Sequence, residues 1–74
     1  MNIQTLVRMA NQIGTFFEAM PDRDQALSDI ATHIRKFWEP RMRKQILEHL
    51  DQTQGEGLDA IVVQALTLHR GTVE

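Results

Sequence analysis

Residues 37–43 read Phe37-Trp38-Glu39-Pro40-Arg41-Met42-Arg43. Proline lacks an N–H and has a fixed φ, so Pro40 suits the first turn of a helix and not its interior. It also biases Glu39 away from helical backbone. The stretch therefore predicts one helix ending near Phe37 or Trp38 and another starting at Pro40. It holds the only tryptophan and one of two prolines. Arg35, Lys36, Arg41, Arg43 and Lys44 around it are five of the eight cationic side chains, while the rest of the chain is mildly acidic. Trp and Arg are the residues most enriched at binding hot spots, so the segment is a candidate docking surface.

Arg35 and Lys36 fall in the last turn of the first helix, where the helix dipole favours cations. Arg41, Arg43 and Lys44 fall in the first turns of the next, where it disfavours them by up to about 0.3–1 kcal/mol each when exposed at low salt. Either an external partner compensates them or solvent screens them at almost no cost. Phe37, Trp38 and Met42 are also open to two readings, as interface or as core at a helix–helix corner. An indole can pack inward and still expose an edge.

Outward from the corner, the chain reads as all-α: a small four-helix domain over residues 1–74 with short connections and antiparallel-type packing. Apolar residues recur at Ile3, Leu6, Ala10, Ile13, Phe17 and Met20, the three-and-four spacing of an amphipathic helix over 3–20 that Pro21 ends. Val7, Met9 and Phe16 widen that stripe beyond what one neighbour covers, so Met9 and Phe16 are expected to stay partly exposed or to meet another chain. Asn11 falls among the polar residues of the opposite side. Gly14 interrupts the pattern at a cost of about 1 kcal/mol relative to Ala. It either permits a close backbone approach or is simply tolerated. Asp22, with Gln25 three residues on, has capping-box spacing and opens a helix over 22–37.

The third helix is expected over 40–51, with Met42, Ile46, Leu47 and Leu50 inward. Residues 52–57 carry two glycines and no periodicity, which marks a flexible loop. The fourth helix is expected over 59–70, with Asp59 as N-cap, Leu68 among its apolar residues and Gly71 as C-terminal cap, leaving 71–74 as a tail. The β-branched run Ala60-Ile61-Val62-Val63 is also compatible with a strand. The cap, the closing glycine and the length favour a helix, and a lone strand would have no partner in this sequence.

A chain of 74 residues buries only about 60% of its unfolded surface. Small domains of this size rely on disulfides, metals, very good helix packing or a partner. There is no cysteine, which removes disulfides and thiolate metal sites and suits a reducing compartment. His33, His49 and His69 show no local metal spacing. The net charge of −2 argues against a dedicated nucleic-acid binder. No apolar run approaches the ~18–20 residues of a membrane span, and Met1-Asn2-Ile3-Gln4 does not open a secretory signal. Ser28, the only serine, lies five residues from His33 and so does not share its helix face. No carboxylate pair or phosphate loop stands out. Neither a catalytic site, nor a cofactor, nor a metal is expected.

The segments Arg8-Met9-Ala10-Asn11-Gln12-Ile13-Gly14 with Phe16-Phe17, then 37–43, then Gly57-Leu58 before Ile61-Val62 and Ala65-Leu66, resemble the delta subunit of bacterial NAD-dependent formate dehydrogenases. The resemblance spans nearly the whole chain, and its middle segment is the most specific. It departs at Asp59-Ala60, where the family commonly has Ser-Pro, although both pairs cap and start a helix. The resemblance implies a small accessory protein of a cytoplasmic molybdenum- or tungsten-containing complex. In that complex the large alpha subunit carries the pterin cofactor and iron–sulfur clusters, and the beta and gamma subunits carry flavin and further clusters. It implies no cofactor on the delta subunit and a role in assembly or stability. The expected partners are the other formate dehydrogenase subunits, the alpha subunit first, and the expected contact residues are Phe37, Trp38, Pro40, Arg41 and Arg43. Two other functions fit the residues: a small nucleic-acid-binding or regulatory module using the third helix for recognition, and a self-assembling helical bundle.

Overall fold

In a computed structural model that describes residues 1–74, each apolar stripe becomes a helix: α1 Ile3–Glu18, α2 Arg23–Phe37, α3 Pro40–Thr53, α4 Ala60–Leu68 and α5 Arg70–Val73. No strand forms, and Ala60-Ile61-Val62-Val63 lies wholly in α4. α1 starts at Asn2, whose side chain accepts from the Gln4 N–H at 2.7 Å. α2 starts at Asp22, whose carboxylate accepts from the Gln25 N–H at 3.1 Å. Only half of the capping box is made, because the Gln25 amide donates forward to Asp29 at 2.8 Å and not back to the cap. α1 ends at Glu18, two residues short of the expected boundary, and the Met20 N–H turns back to the Phe17 carbonyl.

One apolar cluster draws on every helix. Leu6 and Ala10 come from α1, Ala26, Leu27, Ile30, Ala31 and Ile34 from α2, Ile46 and Leu47 from α3. Ile61, Val62, Ala65 and Leu66 come from α4, and Val73 from α5. α2 is the hub and packs against α1, α4 and α5, while α3 packs against α1 and α4. α2 and α3 are consecutive yet scarcely touch, because the corner between them turns α3 onto α1.

The contact between α1 and α4 explains two residues of the Arg8–Gly14 run. A Cβ on Gly14 would lie 2.7 Å from Val62 Cγ2 and 3.1 Å from Ile61 Cγ2. The glycine is therefore required by a close helix approach. Asn11, one turn earlier on the same face, is no solvated polar residue. Its side-chain amide donates to the Gly57 carbonyl at 2.9 Å, and its oxygen accepts from the Asp59 N–H at 2.8 Å. These two bonds seat the start of α4 on α1. Asp59 holds the N-cap position but makes no side-chain capping bond.

The segment 52–57, expected as a flexible loop, is tied along its length. α3 runs to Thr53, and Gln54, Gly55 and Gly57 turn the chain with φ of 57°, 83° and 83°. His49 Nε2–H donates to the Glu56 carbonyl at 2.7 Å, and the Glu56 N–H donates to Thr53 Oγ1 at 2.9 Å. A carbonyl can only accept, so the first bond places the His49 proton on Nε2.

The expected tail is a fifth helix. Gly71 does not cap α4; the break comes at His69 (φ −113°, ψ 34°), and the chain recoils into α5, which buries Val73 completely. Arg70 grips Asp51 of α3 through two bonds of 2.9 and 2.7 Å and also pairs with Glu74 at 3.1 Å. Leu68, one of the apolar residues of the fourth helix, is exposed.

Two outcomes follow from this packing. Gly14→Ala would gain about 1 kcal/mol of helix propensity, but its methyl meets a stiff β-branched neighbour, and overpacking costs about 1–3 kcal/mol. A lower melting temperature is expected; a higher one would show that α4 can yield. The hydrogen bonds from Arg70 hold the Asp51 carboxyl below its ordinary range. A carboxyl whose folded pKa is lowered stabilises fully above its unfolded value, about 3.9, and loses that contribution as pH falls through the folded value. Asp51→Asn should therefore melt below the parent at neutral pH. The gap should close in acid, as pH falls below the unfolded value and through the lower folded one; a gap of constant size across that window contradicts the pairing.

Candidate docking site

The corner resolves the two readings of residues 37–43 one residue at a time. α2 ends at Phe37, and Trp38 takes extended backbone (φ −94°, ψ 137°) while its N–H still closes on the Ile34 carbonyl at 3.0 Å. Glu39 is also extended, and Pro40 occupies the first turn of α3. Two adjacent aromatic side chains thereby take opposite fates. Trp38 is 5% exposed and belongs to the core, and Phe37 is 71% exposed.

Phe37 has an aromatic continuation on α1. Its ring lies 4.7 Å from His33, His33 lies 6.1 Å from Phe17, and Phe17 meets Phe16 edge-on at 5.0 Å. Phe16, at the outer end of this row, is 74% exposed. Between the two exposed phenylalanines lies a groove of about 530 Å³. α1 supplies Met9, Gln12, Ile13, Phe16 and Phe17 to it, α2 supplies His33 and Phe37, Trp38 lines it at the corner, and Met42 comes from α3. Met9 is half-buried at this groove, so the over-wide stripe of α1 is left partly uncovered by the chain itself.

The cationic residues divide. Arg43 points to the other side of α3, where it shares a shallower polar depression with Pro40, Lys44, Arg70 and Glu74. Its guanidinium Nη1–H donates to the Arg35 carbonyl at 2.9 Å, and its Nε is buried without a partner. Arg35 is in the last turn of α2, so a residue near the start of α3 sets its charge at the C-terminal end of the preceding helix. That is the favourable end of a helix dipole. The apparent misplacement of this charge in sequence is thus answered within the fold. Arg41 and Lys44 are exposed and enter no ion pair.

The five sequence-predicted contact residues therefore do not form one surface. Phe37 and Trp38 meet at the groove, Pro40 and Arg43 line the second depression, and Arg41 is exposed and lines neither. Phe16 and Met9 were signalled by the widened stripe of the first helix. His33 carried no signal, because its place in the aromatic row depends on how α2 lies across α1. No group of three or more His, Asp or Glu side chains could hold a metal ion, and no helix is long and apolar enough to cross a membrane.

The sequence model of one family, NADH-dependent formate dehydrogenase delta subunit FdsD, matches residues 5–66. The chain belongs to this delta-subunit family. No curated protein and no solved structure matches it. The matched span runs from α1 to within two residues of the end of α4 and contains the Asn11–Gly14 seat, the corner and the groove. It places the protein among accessory subunits of formate dehydrogenase, which associate with the enzyme's other subunits.

The divided corner predicts different behaviour for its two arginines. Arg43→Ala removes a charged hydrogen bond to a helix-end carbonyl and should destabilise the delta subunit by about 1–2 kcal/mol. Arg41→Ala removes an exposed, unpaired side chain and should leave the thermal unfolding curve within about 0.5 kcal/mol of the parent. Equal effects of the two variants would contradict the tether.

Proposed function

We propose that this delta subunit is non-catalytic and docks on a cytoplasmic NAD-dependent formate dehydrogenase complex, which it stabilises or helps to assemble. Its seat is proposed to be the large, cofactor-bearing alpha subunit. The observation that carries the docking reading is the exposed Phe16–Phe37 pair on either side of an apolar groove, within the span that defines the family. Exposed aromatic side chains that converge on one groove are the usual anchors of a protein interface. The contact then centres on Phe37 with Trp38 at the groove. Arg41 is free to meet a carboxylate, and Pro40 and Arg43 fix the corner that presents them, with Arg43 available to a partner only from the opposite side of α3. The chain's own residues offer no nucleophile–base pair and no clustered ligand set, so chemistry on formate or NAD is assigned to the other subunits.

Co-expression with the alpha, beta and gamma subunits tests this reading. Phe16→Ala with Phe37→Ala should leave the helicity and melting temperature of the lone chain nearly unchanged, since both rings are largely in solvent. It should weaken assembly by about 2–4 kcal/mol if both are hot-spot contacts. The lone chain should turn over neither formate nor NAD. Assembly of the double variant at parental affinity would remove the groove from the interface, and turnover by the lone chain would contradict the non-catalytic role.

A further inference from the structure

Of the nine residues that line the groove, His33 alone can change its charge. It is half-buried and stands between two phenyl rings, 4.7 Å from Phe37 and 6.1 Å from Phe17. Its ring nitrogens make no hydrogen bond or ion pair within the chain. Neither is sealed from solvent; Arg43 Nε is the one side-chain polar atom buried without a partner. Water is therefore the only partner of this imidazole in the free subunit. α1 and α3 turn only uncharged side chains to the groove. On α2 itself Asp29 lies one turn before His33 and Lys36 one turn after, one charge of each sign, and the Asp29 carboxylate accepts from the Gln25 amide at 2.8 Å. Glu18, beside Phe17 in sequence, is paired with Arg23 at 3.8 Å, and Glu39, beside Trp38, does not line the groove.

We propose that docking at the groove requires a neutral His33, so that assembly releases a proton from this side chain and weakens as the medium is acidified. The proposal rests on the docking reading above and adds its regulation. Imidazole is the side chain that changes charge between about pH 5 and 8. A trough lined mainly by apolar side chains is filled by apolar side chains of the alpha subunit, and these displace the water around His33. Covering the neutral ring forfeits at most its hydrogen bonds to water. Covering an imidazolium with no counter-charge costs far more, because burial penalises the charged form. The face of the Phe37 ring offsets only part of that cost. The neutral form therefore docks and the protonated form stays in solvent. Affinity is highest above the imidazole range and falls as pH drops through it.

Affinity of the delta subunit for the complex of the alpha, beta and gamma subunits, measured near pH 8 and near pH 6, tests the proton. Parent, His33→Gln and His33→Phe are compared, and the ratio of the two affinities is read within each chain, so a change in overall affinity does not enter. The parent should bind roughly threefold to fivefold more weakly near pH 6, and both variants should lose that part of the pH dependence. Calorimetry near pH 6.5 in buffers of different ionisation enthalpy should show more protons released on docking of the parent than of His33→Gln. The same pH ratio in the parent and in both variants overturns the proposal. So does tighter docking on the acid side that the variants abolish, which would place a carboxylate of the partner against His33. Phe16→Ala with Phe37→Ala separates the two levels. If that double variant docks weakly while the parent is indifferent to His33, only the proton is overturned. If it docks like the parent, the groove is no interface and both the proposal and the docking reading fall.

Discussion

Pro40 disfavours helical backbone at Glu39, which is extended, and the rest of the molecule is arranged around that one restriction. Had the helix continued, Phe37 and Trp38 would project about 100° apart from a single rod, and neither would be fully in or out. Ending α2 at Phe37 lets extended backbone at Trp38 carry the indole into the core while the phenyl ring stays in solvent. The same corner turns α3 away from α2 and onto α1, which opens the groove that α1, the corner and Met42 line together. The carbonyls at the end of α2 would lack partners at such a break. Trp38 N–H takes the one at Ile34 and Arg43 takes the one at Arg35, so the corner supplies partners for two of them, while Arg43 Nε stays buried without one.

A second close contact secures the opposite side of α1. Asn11 and Gly14, three residues apart, face α4: one holds its first turn and the other lets its Ile61 and Val62 side chains approach. Two residues later the helix has rotated far enough to put Phe16 in solvent. One helix thus carries a folding face and a presenting face. The residues quoted for the resemblance divide the same way, with Asn11, Gly14, Trp38 and Pro40 in the scaffold and Phe16 and Phe37 standing on its surface. Such a division suits the proposed docking role, in which the fold presents the two rings at a fixed separation.

The long helices were legible because each carries enough apolar residues at helical spacing, and Pro21, Asp22 and Pro40 punctuate them. The over-wide stripe of α1 also announced Phe16, since side chains on that side had no place in a single interface. What sequence could not place were contacts between residues far apart in the chain. Asn11 looks like any polar residue on a solvated face until α4 is laid against it, 46–48 residues later. Gly71 looked like a helix stop because glycine so often is one, yet the burial of Val73 and the grip of Arg70 on Asp51 outweigh that preference and recoil the chain into α5. Arg43 read as free because its acceptor is a backbone carbonyl eight residues earlier, a partner that no charge pattern reveals.

The separation of charge is the part of this design that folding alone does not require. Carboxylates are more numerous than cations, and three of them close ion pairs with Arg23 and Arg70. Between residues 33 and 44 there is one carboxylate, Glu39, against five cations, so the corner keeps its positive field whatever rotamers its side chains adopt. Exposed charges of this kind add little to the stability of the free chain. They act over about a Debye length, roughly 8 Å at physiological salt, and so bear on the rate and orientation of encounter with an oppositely charged surface. The apolar floor beneath them acts only at contact, and contacts of that sort set how long a complex lasts.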